Sequence, residues 1–378
     1  MRADLSVLTR SLGEGAALRR LVGNLDLVQA VGPSIAWEHH SAKRRCRATA
    51  EAVRGDVYRE IWRDAAEDLD AQVVSLGHGL LQINGPGLRT RTWQQHVMLD
   101  DSVSLRVALD KPLVSRLLAE AGLPVAESLE FTKPTLARAV EFLEKDDRPC
   151  VVKPARGSGG GAGTVCGIST GPELARAAAW ASRATTNLLV ERQAEGSVHR
   201  FLLLDGQLLD VLKNGPPTVV GDGRHAIHEL VATENRRRAA AAGRLGLALL
   251  SIDRDCLMTL DKADLSLASV PGDGEIITLK TVTNESGPHD NESLGTDVSP
   301  ALIAQLAGAA AVIGIRLAGV DVVTTDVQGS LDETGGVIIE INGSPALHRH
   351  YHVRKPTPTS RTAVPVLKAL RHQTFQSS

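Results

Sequence analysis

The run Gly336-Val337-Ile338-Ile339 would open an ordinary buried strand if it did not lead straight into Glu340, Ile341 and Asn342. On an extended chain, residues two apart share a face, so the Glu340 carboxylate and the Asn342 amide point the same way. Upstream, Gly319-Val320-Asp321-Val322-Val323 supplies a second apolar strand with one acid in it. Pairing the two across the polar loop 328–336 makes a hairpin that gathers Asp321, Glu340 and Asn342. All three side chains offer oxygen ligands of the kind a hard divalent cation takes, Mg²⁺ first and Mn²⁺ as a substitute. Enzyme-bound Mg²⁺ most often clamps nucleotide phosphates, which makes ATP chemistry the first reading. Taken alone, acids at strand ends are explained equally well as solvated edge positions.

A second element shifts that balance. In Cys150-Val151-Val152-Lys153-Pro154-Ala155-Arg156-Gly157-Ser158-Gly159-Gly160-Gly161-Ala162-Gly163, a short β-branched run delivers a lysine and then a glycine-rich loop. Without Cβ atoms, such a loop lets backbone N–H groups come close to phosphate oxygens. Lys153 adds a mobile point charge for the same phosphates. No Gly-Lys-Ser/Thr closes the loop, so it is not a Walker A motif.

Composition excludes several other classes. The 378 residues suffice for two or three domains, and 43% hydrophobic with 23% charged residues is ordinary for a globular chain. A net charge of −2 and only 3% aromatic residues give no basic face and no base-stacking platform, so nucleic acid is not an expected partner. Cys46, Cys150, Cys166 and Cys256 are scattered and read as buried small hydrophobes in a reducing compartment. The N-terminus carries Asp4 early and lacks a long apolar core, so no secretory signal is expected. The most apolar region, about 301–323, is interrupted by Gln305, Arg316 and Asp321, so no membrane span is expected and the cytoplasm is the expected location.

Residues 1–70 are Ala- and Arg-rich with helical patterning, and the tract Lys43-Arg44-Arg45 reads as a solvated helix face. A strand over 73–77 ends in a glycine turn, and one helix is expected over Ser104–Gly122, with Pro124 just beyond. Strands at 125–131, 149–154 and 187–191 alternate with helices at 134–145 and 172–183. Asp205-Gly206 joins strands 200–204 and 207–212 in a hairpin, and Gly221-Asp222-Gly223 turns into a helix at 227–234. A helix over 298–317 precedes the Asp321 strand, and 361–371 forms a final helix. Hairpins dominate the middle of the chain, which predicts α+β rather than a doubly wound parallel sheet.

In this order the residues resemble the ATP-grasp superfamily, and within it the ATP-grasp portion of cyanophycin synthetases. Leu76-Gly77-His78-Gly79, Ala108-Leu109-Asp110-Lys111 and Ala121-Gly122-Leu123-Pro124-Val125 are similar to that family's entry segment. The stretch from Val219 through Gly221-Asp222-Gly223 to Leu230 is similar to its glycine-aspartate-glycine insertion, and Leu279-Lys280 to Ser286 precede the metal strands as they do there. The resemblance covers about residues 71–372. It implies an ATP-grasp fold, two α+β lobes clasping ATP, preceded by a smaller N-terminal α/β domain. The expected division is 1–105 and 106–378, with a glycine-rich lid at about 148–215 and an insertion at about 215–275. The Mur-ligase-like domain of those synthetases is expected to be absent, so alternating polymerisation of two amino acids is not implied.

Residue by residue, the resemblance implies that Lys111 and Lys153 bind ATP phosphates, and that Gly157, Ser158, Gly159, Gly160 and Gly161 cover them. Glu191 and the backbone near Ala194 would hold the adenine amino group. Asp321, Glu340 and Asn342 would hold Mg²⁺, and Arg200 and Lys280 would neutralise the transferring phosphoryl group. Asn284, Ser286 and His350 would line the substrate pocket, with His348 and His352 as loop histidines. The chain departs from the family pattern at Val198, where an acid normally contacts ribose, and at Lys280, which replaces an arginine. Ala346 replaces a glycine, and Pro288-His289 stand where paired glycines are expected.

The implied reaction is ATP-dependent joining of a carboxylate to an amine, with one or both substrates an amino acid. A phosphotransferase using the same ATP site is the alternative, and a non-catalytic ATP-binding protein is a third reading. The expected partners are the small-molecule acid and amine, with no nucleic acid and no membrane; a homo-oligomer is left open.

Overall fold

A computed structural model describes residues 32, 51–157, 161–240, 247–357, 359 and 361–371. The tract Lys43-Arg44-Arg45 lies outside the described residues. Residues 51–67 are helical, and their buried side chains (Val53, Val57, Tyr58, Ile61, Trp62, Ala65 and Ala66) recur at helical spacing. This face covers an antiparallel sheet of β1 (Gln72–Gly77), β2 (Leu80–Gly85), β3 (Leu88–Trp93) and β4 (His96–Val97), paired in that order. Only the first of these strands is foreseen by the sequence analysis. The turn His78-Gly79 has both residues at positive φ, 50° and 77°, which allows a two-residue connection and hence a strand immediately after it.

The single helix expected over 104–122 is two helices, Ser102–Ala108 and Lys111–Glu120. Asp110 ends the continuity: its carboxylate caps the second helix by accepting from the Leu113 N–H at 3.2 Å, and Pro112 occupies the first turn. The break matters because it puts Lys111 at a helix start.

A second antiparallel sheet contains β5 (Ser128–Phe131), β6 (Cys150–Pro154), β7 (Val165–Ile168) and β8 (Leu188–Arg192), in the order β5-β8-β6-β7. Helices Leu136–Leu143 and Gly171–Ala181 cover one face, burying Cys150, Val152, Leu188 and Val190. Strand alternation therefore turns Lys153, Leu189 and Glu191 to the other face. Strand β7, absent from the sequence reading, follows the glycine loop directly.

The central sheet runs β13-β10-β9-β14-β15. Strands β9 (Ser197–Leu204) and β10 (Gln207–Asn214) join through Asp205-Gly206 at φ 50° and 77°, the expected hairpin. Strands β11 (Thr218–Val220) and β12 (Ile276–Thr278) pair and pack with helices Ile227–Ala240 and Arg254–Lys262 in a core of their own. Strands β13 (Asn291–Gly295), β14 (Leu317–Thr324) and β15 (Val337–Asn342) complete the sheet. The helix expected to reach Leu317 stops earlier, spanning Pro300–Ile313, because Gly314 takes a left-handed φ of 78° as its cap; Leu317 already belongs to β14. The final helix is Ala363–Leu370.

The central sheet is buried on both sides by different partners. Phe201, Leu203, Val320 and Val322 pack with Leu302, Leu306, Ala309 and Ile313 of the long helix. On the opposite face, Leu202, Leu204 and Leu317 join the core of the 51–67 helix and the first sheet. Arg200 shares this second face, two residues from Leu202. The N-terminal core thus covers one end of the face and leaves the other to polar residues.

Candidate active site

Strand register builds a polar row. Arg200 on β9 is directly opposite Asp321 on β14, which is directly opposite Glu340 on β15. Opposed residues of antiparallel strands share a face, so one guanidinium and two carboxylates line up across three strands. Arg200 donates from Nε to Asp321 Oδ1 at 2.7 Å and from Nη2 to Oδ2 at 2.6 Å, a two-point charge-assisted contact. Burial opposes the charge of Arg200, yet the Asp321 carboxylate overcomes it and holds the guanidinium above its ordinary pKa. Asn342 Nδ2 donates to Asp321 Oδ2 at 3.2 Å, so the amide joins the row. Lys111, at the new helix start, places Nζ 3.2 Å from Glu340 Oε1.

The Glu340 end of this row shares a cleft with the uncovered face of the second sheet. Lys153 Nζ and the Glu191 carboxylate are 2.8 Å apart and both are buried. Between the two sheets lies a cleft lined by Lys111, Lys153, Leu189, Glu191, Ile339 and Glu340 among others. Its lining combines the two lysine–glutamate pairs with aliphatic side chains (Val114, Leu118, Leu189, Ile338). A planar base with a polyanionic tail fits such a surface.

The glycine loop connects β6 to β7. Gly157, Gly161 and Gly163 have φ of 71°, 68° and 81°, and Ser158, Gly159 and Gly160 lie outside the described residues. A Cβ on Gly161 would stand 2.6 Å from Val282 Cγ1 and 3.4 Å from Asn284 Cγ. Gly161 therefore packs against the expected substrate segment, and the Asn284 side-chain oxygen there is buried without a hydrogen-bond partner among the described residues.

The remaining predicted residues take the following places. Lys280 is buried with Nζ 2.6 Å from Asp253 Oδ2 and 3.4 Å from Glu285 Oε2. Burial opposes its charge, but these two acids raise its pKa above the ordinary lysine value. No hydrogen bond or ion pair joins it to Arg200 among the described residues. The Ser286 hydroxyl turns inward, 2.5 Å from the Gly215 carbonyl and 2.6 Å from that of Thr283, where it holds a turn. His350 is fully buried, Nδ1 2.7 Å from Asp210 Oδ2, with Nε2 lacking a partner. Burial pushes its pKa down, so the imidazole is neutral at pH 7. His348 pairs through Nδ1 with the Tyr58 hydroxyl at 2.9 Å and ties the helix 51–67 to the site loop. Ala194 lies in the connection from β8 to β9.

Several site groups escaped the sequence reading. Arg156, just before the glycine loop, pairs with Asp110 at 2.7 Å and with Glu130, fastening the loop base beside Lys111. Asp255 is 1% exposed and accepts from the N–H groups of Cys166, Thr281 and Val282 and from the Thr281 hydroxyl. Adjacency to Lys111, the glycine loop and the insertion was the only sequence signal for these residues. Among the described residues, no three His, Cys, Asp or Glu side chains gather as a metal cluster. The donor set instead pairs two carboxylates with an amide, which suits a hard cation.

Two α+β lobes with a lysine-lined cleft between them and a glycine-rich β6–β7 connection are the parts of the ATP-grasp fold, and this chain has it. The family described as carbamoyl-phosphate synthase L chain, ATP binding domain, matches residues 110–200. A bifunctional glutathione synthetase from Pasteurella multocida shares the fold with a TM-score of 0.50 at 21% identity, covering 80% of this chain and 42% of that one. In sequence the chain resembles cyanophycin synthetases: it is 29% identical over 308 residues to that of Trichormus variabilis, covering 77% of this chain and 34% of the relative. It is 32% identical over 257 residues to that of Crocosphaera subtropica, covering 66% and 29%. The chain spans about a third of the length of these relatives. No described helix is long and apolar enough to cross a membrane.

Proposed function

We propose that this chain is an ATP-dependent carboxylate–amine ligase that forms an amide or peptide bond with an amino acid, releasing ADP and phosphate. The observation that carries the reading is the cross-strand row Arg200–Asp321–Glu340, whose Glu340 end lines one cleft with Lys111 and Lys153. That arrangement gathers cations and carboxylates where a nucleotide's phosphates would end. The similarity to cyanophycin synthetases over most of the chain supports the same class.

In this reading Lys111 and Lys153 exchange their glutamate partners for phosphate oxygens, and the glycine loop with Gly157 to Gly161 covers them. Glu191 and the backbone at Ala194 hold the base. Asp321, Glu340 and Asn342 hold Mg²⁺, which, when bound, supplies charge compensation for the phosphates. A substrate carboxylate oxygen attacks the γ-phosphorus in line, the bond to the β–γ bridging oxygen breaks, and ADP leaves. Arg200 neutralises the charge shared over the moving phosphoryl group. The amine then attacks the acyl carbon, phosphate departs with the bonding pair, and the amine nitrogen loses its proton. Lys280, set by Asp253 and Glu285, belongs to the wall behind the acyl group. Asn284 faces the substrate, with Ser286 and His350 supporting that wall from within. Exclusion of water under the loop protects the acyl phosphate.

The division at about residue 105, the lid at 148–215 and the insertion at 215–275 belong to this proposal, as does a cytoplasmic setting. The test is a screen of acids and amines for phosphate release, with mass spectrometry of the products. Phosphate release that needs both substrates and yields an amide is the expected result. A lasting phosphorylated product with no amine requirement would instead assign a phosphotransferase.

A further inference from the structure

Arg349 stands in the one-turn helix His348–Tyr351, just beyond the strand that ends in Asn342. Its Nη2 donates to the Asn214 side-chain oxygen at 3.1 Å and to the Thr283 carbonyl at 3.2 Å, two neutral acceptors. Among the described residues no carboxylate comes within ion-pair distance of it, whereas Lys111, Lys153, Arg200 and Lys280 each have one. Burial disfavours its charge, the neighbouring Arg200 disfavours it further, and Asp321 offsets part of both, which leaves its pKa at about 10. It still carries its proton at neutral pH. A partly buried guanidinium whose hydrogen-bond partners are all neutral is a charge with no direct ion pair, which folds seldom retain without use.

Its location says what the charge can meet. Asn214 is two residues from Leu212, the register partner of Arg200, so the side chain Arg349 grips lies on the Arg200 face of the central sheet. Across that face the order is Asn214 on β10, Arg200 on β9, Asp321 on β14 and Glu340 on β15. Lys111 marks the β15 end and Arg349 the β10 end. The other contact, Thr283, begins the turn Thr283–Glu285 whose Asn284 meets the glycine loop at Gly161. Arg349 therefore sits across the polar row from the lysine-lined cleft, beside the closing loop. Its Nε and Nη1 donate to nothing among the described residues and are not enclosed. One edge of the guanidinium fork is available, and that edge matches a carboxylate in two-point contact.

We infer that Arg349 recognises a carboxylate that does not react, carried by a small substrate such as an amino acid whose α-carboxylate stays free. The inference rests on the ligase reading for the identity of the substrate, and on the geometry alone for the chemistry of the group bound. Arg349 would then determine specificity, admitting acids with a second anionic group and rejecting neutral analogues.

The test uses the full chain with a non-hydrolysable ATP analogue and Mg²⁺. Calorimetric titration compares each common amino acid with its α-carboxamide, which differs only in the charge Arg349 would read. At least one amino acid should bind, and its carboxamide about tenfold more weakly or worse. Arg349→Gln should erase that preference, and Arg349→Lys should keep part of it. The acid–carboxamide comparison in the unmodified protein needs no variant to fold. Equal binding of acid and carboxamide, a preference that survives Arg349→Gln, or no amino acid binding at millimolar concentration would each overturn the inference. Weaker binding of the ATP analogue alone in Arg349→Gln would give Arg349 to the nucleotide and overturn it too. Amide formation is measured separately. Coupling without carboxylate preference rejects Arg349 and keeps the ligase, and carboxylate preference without coupling does the reverse.

Discussion

Asp321 accepts from two nitrogens of Arg200 at 2.7 and 2.6 Å and from Asn342 at 3.2 Å, so three nitrogen donors already hold the acid most suited to a metal. Their side chains are 13% and 8% exposed, so removing either partner leaves a largely desolvated charge. Arg200→Met should cost about 3 kcal/mol of stability, with Mg²⁺ restoring part of the loss by taking over Asp321. Denaturant melts with and without Mg²⁺ measure both. An unchanged midpoint would mean that water already screens the pair.

Glu340→Gln keeps size and hydrogen bonding but removes the charge that faces Lys111 at 3.2 Å. The melting temperature should stay near that of the unmodified protein, because the carboxylate is partly exposed and its ion pair contributes little. Turnover should fall at least a hundredfold or so, since the phosphates lose their charge compensation. Phosphate release within a few-fold of normal would remove Glu340 from the site.

Closure of the glycine loop depends on the missing Cβ of Gly161, which would stand 2.6 Å from Val282 Cγ1 at a φ of 68°. Gly161→Ala should raise KM for ATP about tenfold, the expected result of roughly 1–2 kcal/mol of strain felt only when the loop is closed. Global stability should barely move. Hydrogen exchange across 157–163 with and without ATP provides the second reading, and equal protection in both states would mark the loop as a fixed structural element.

His199, buried on β9, predicts an acid limb in the stability curve. Burial, then the charge of Lys213, lowers its pKa from 6.5 to about 4, and its Nδ1 has no hydrogen-bond partner. Between these values the unfolded chain binds a proton that the folded chain refuses, so stability is full above 6.5 and declines as pH falls towards 4. The loss amounts to about 3 kcal/mol over that window. His199→Phe should flatten this limb in melts run at pH 7 and pH 5. An identical slope in the variant would assign the acid sensitivity to the other buried histidines.

The polar hairpin was legible because it is local and periodic. Val320, Val322, Ile338 and Ile341 mark the buried face around Asp321, Glu340 and Asn342, and one loop joins the strands. The strand–lysine–glycine order around Lys153 was legible for the same reason, as was the Asp205-Gly206 turn. The ion pairs were not. Arg200 finds Asp321 at a sequence separation of 121 and His350 finds Asp210 at 140, and nothing in either neighbourhood announces the partner. Asp253 and Glu285, which enclose Lys280, belong to a helix and a turn that the sequence leaves unmarked. The break between Ala108 and Lys111 was missed because the apolar spacing continues across it; capping by Asp110 outweighs that periodicity.

Asp255 has a consequence for inheritance. One carboxylate grips the strand after the glycine loop through Cys166 and the segment before the Thr283–Glu285 turn through Thr281 and Val282. Its own helix lies in the segment between β11 and β12, the proposed insertion. Recombination between relatives that exchanged the insertion alone would strand three backbone N–H groups on a carboxylate of the wrong shape. The unit that can be transplanted is therefore larger than the insertion: it includes the loop strand and the residues up to Asn284. Variation in what this chain accepts should accumulate within that unit together, so that a change in the insertion is matched by a change on the far side of Asp255.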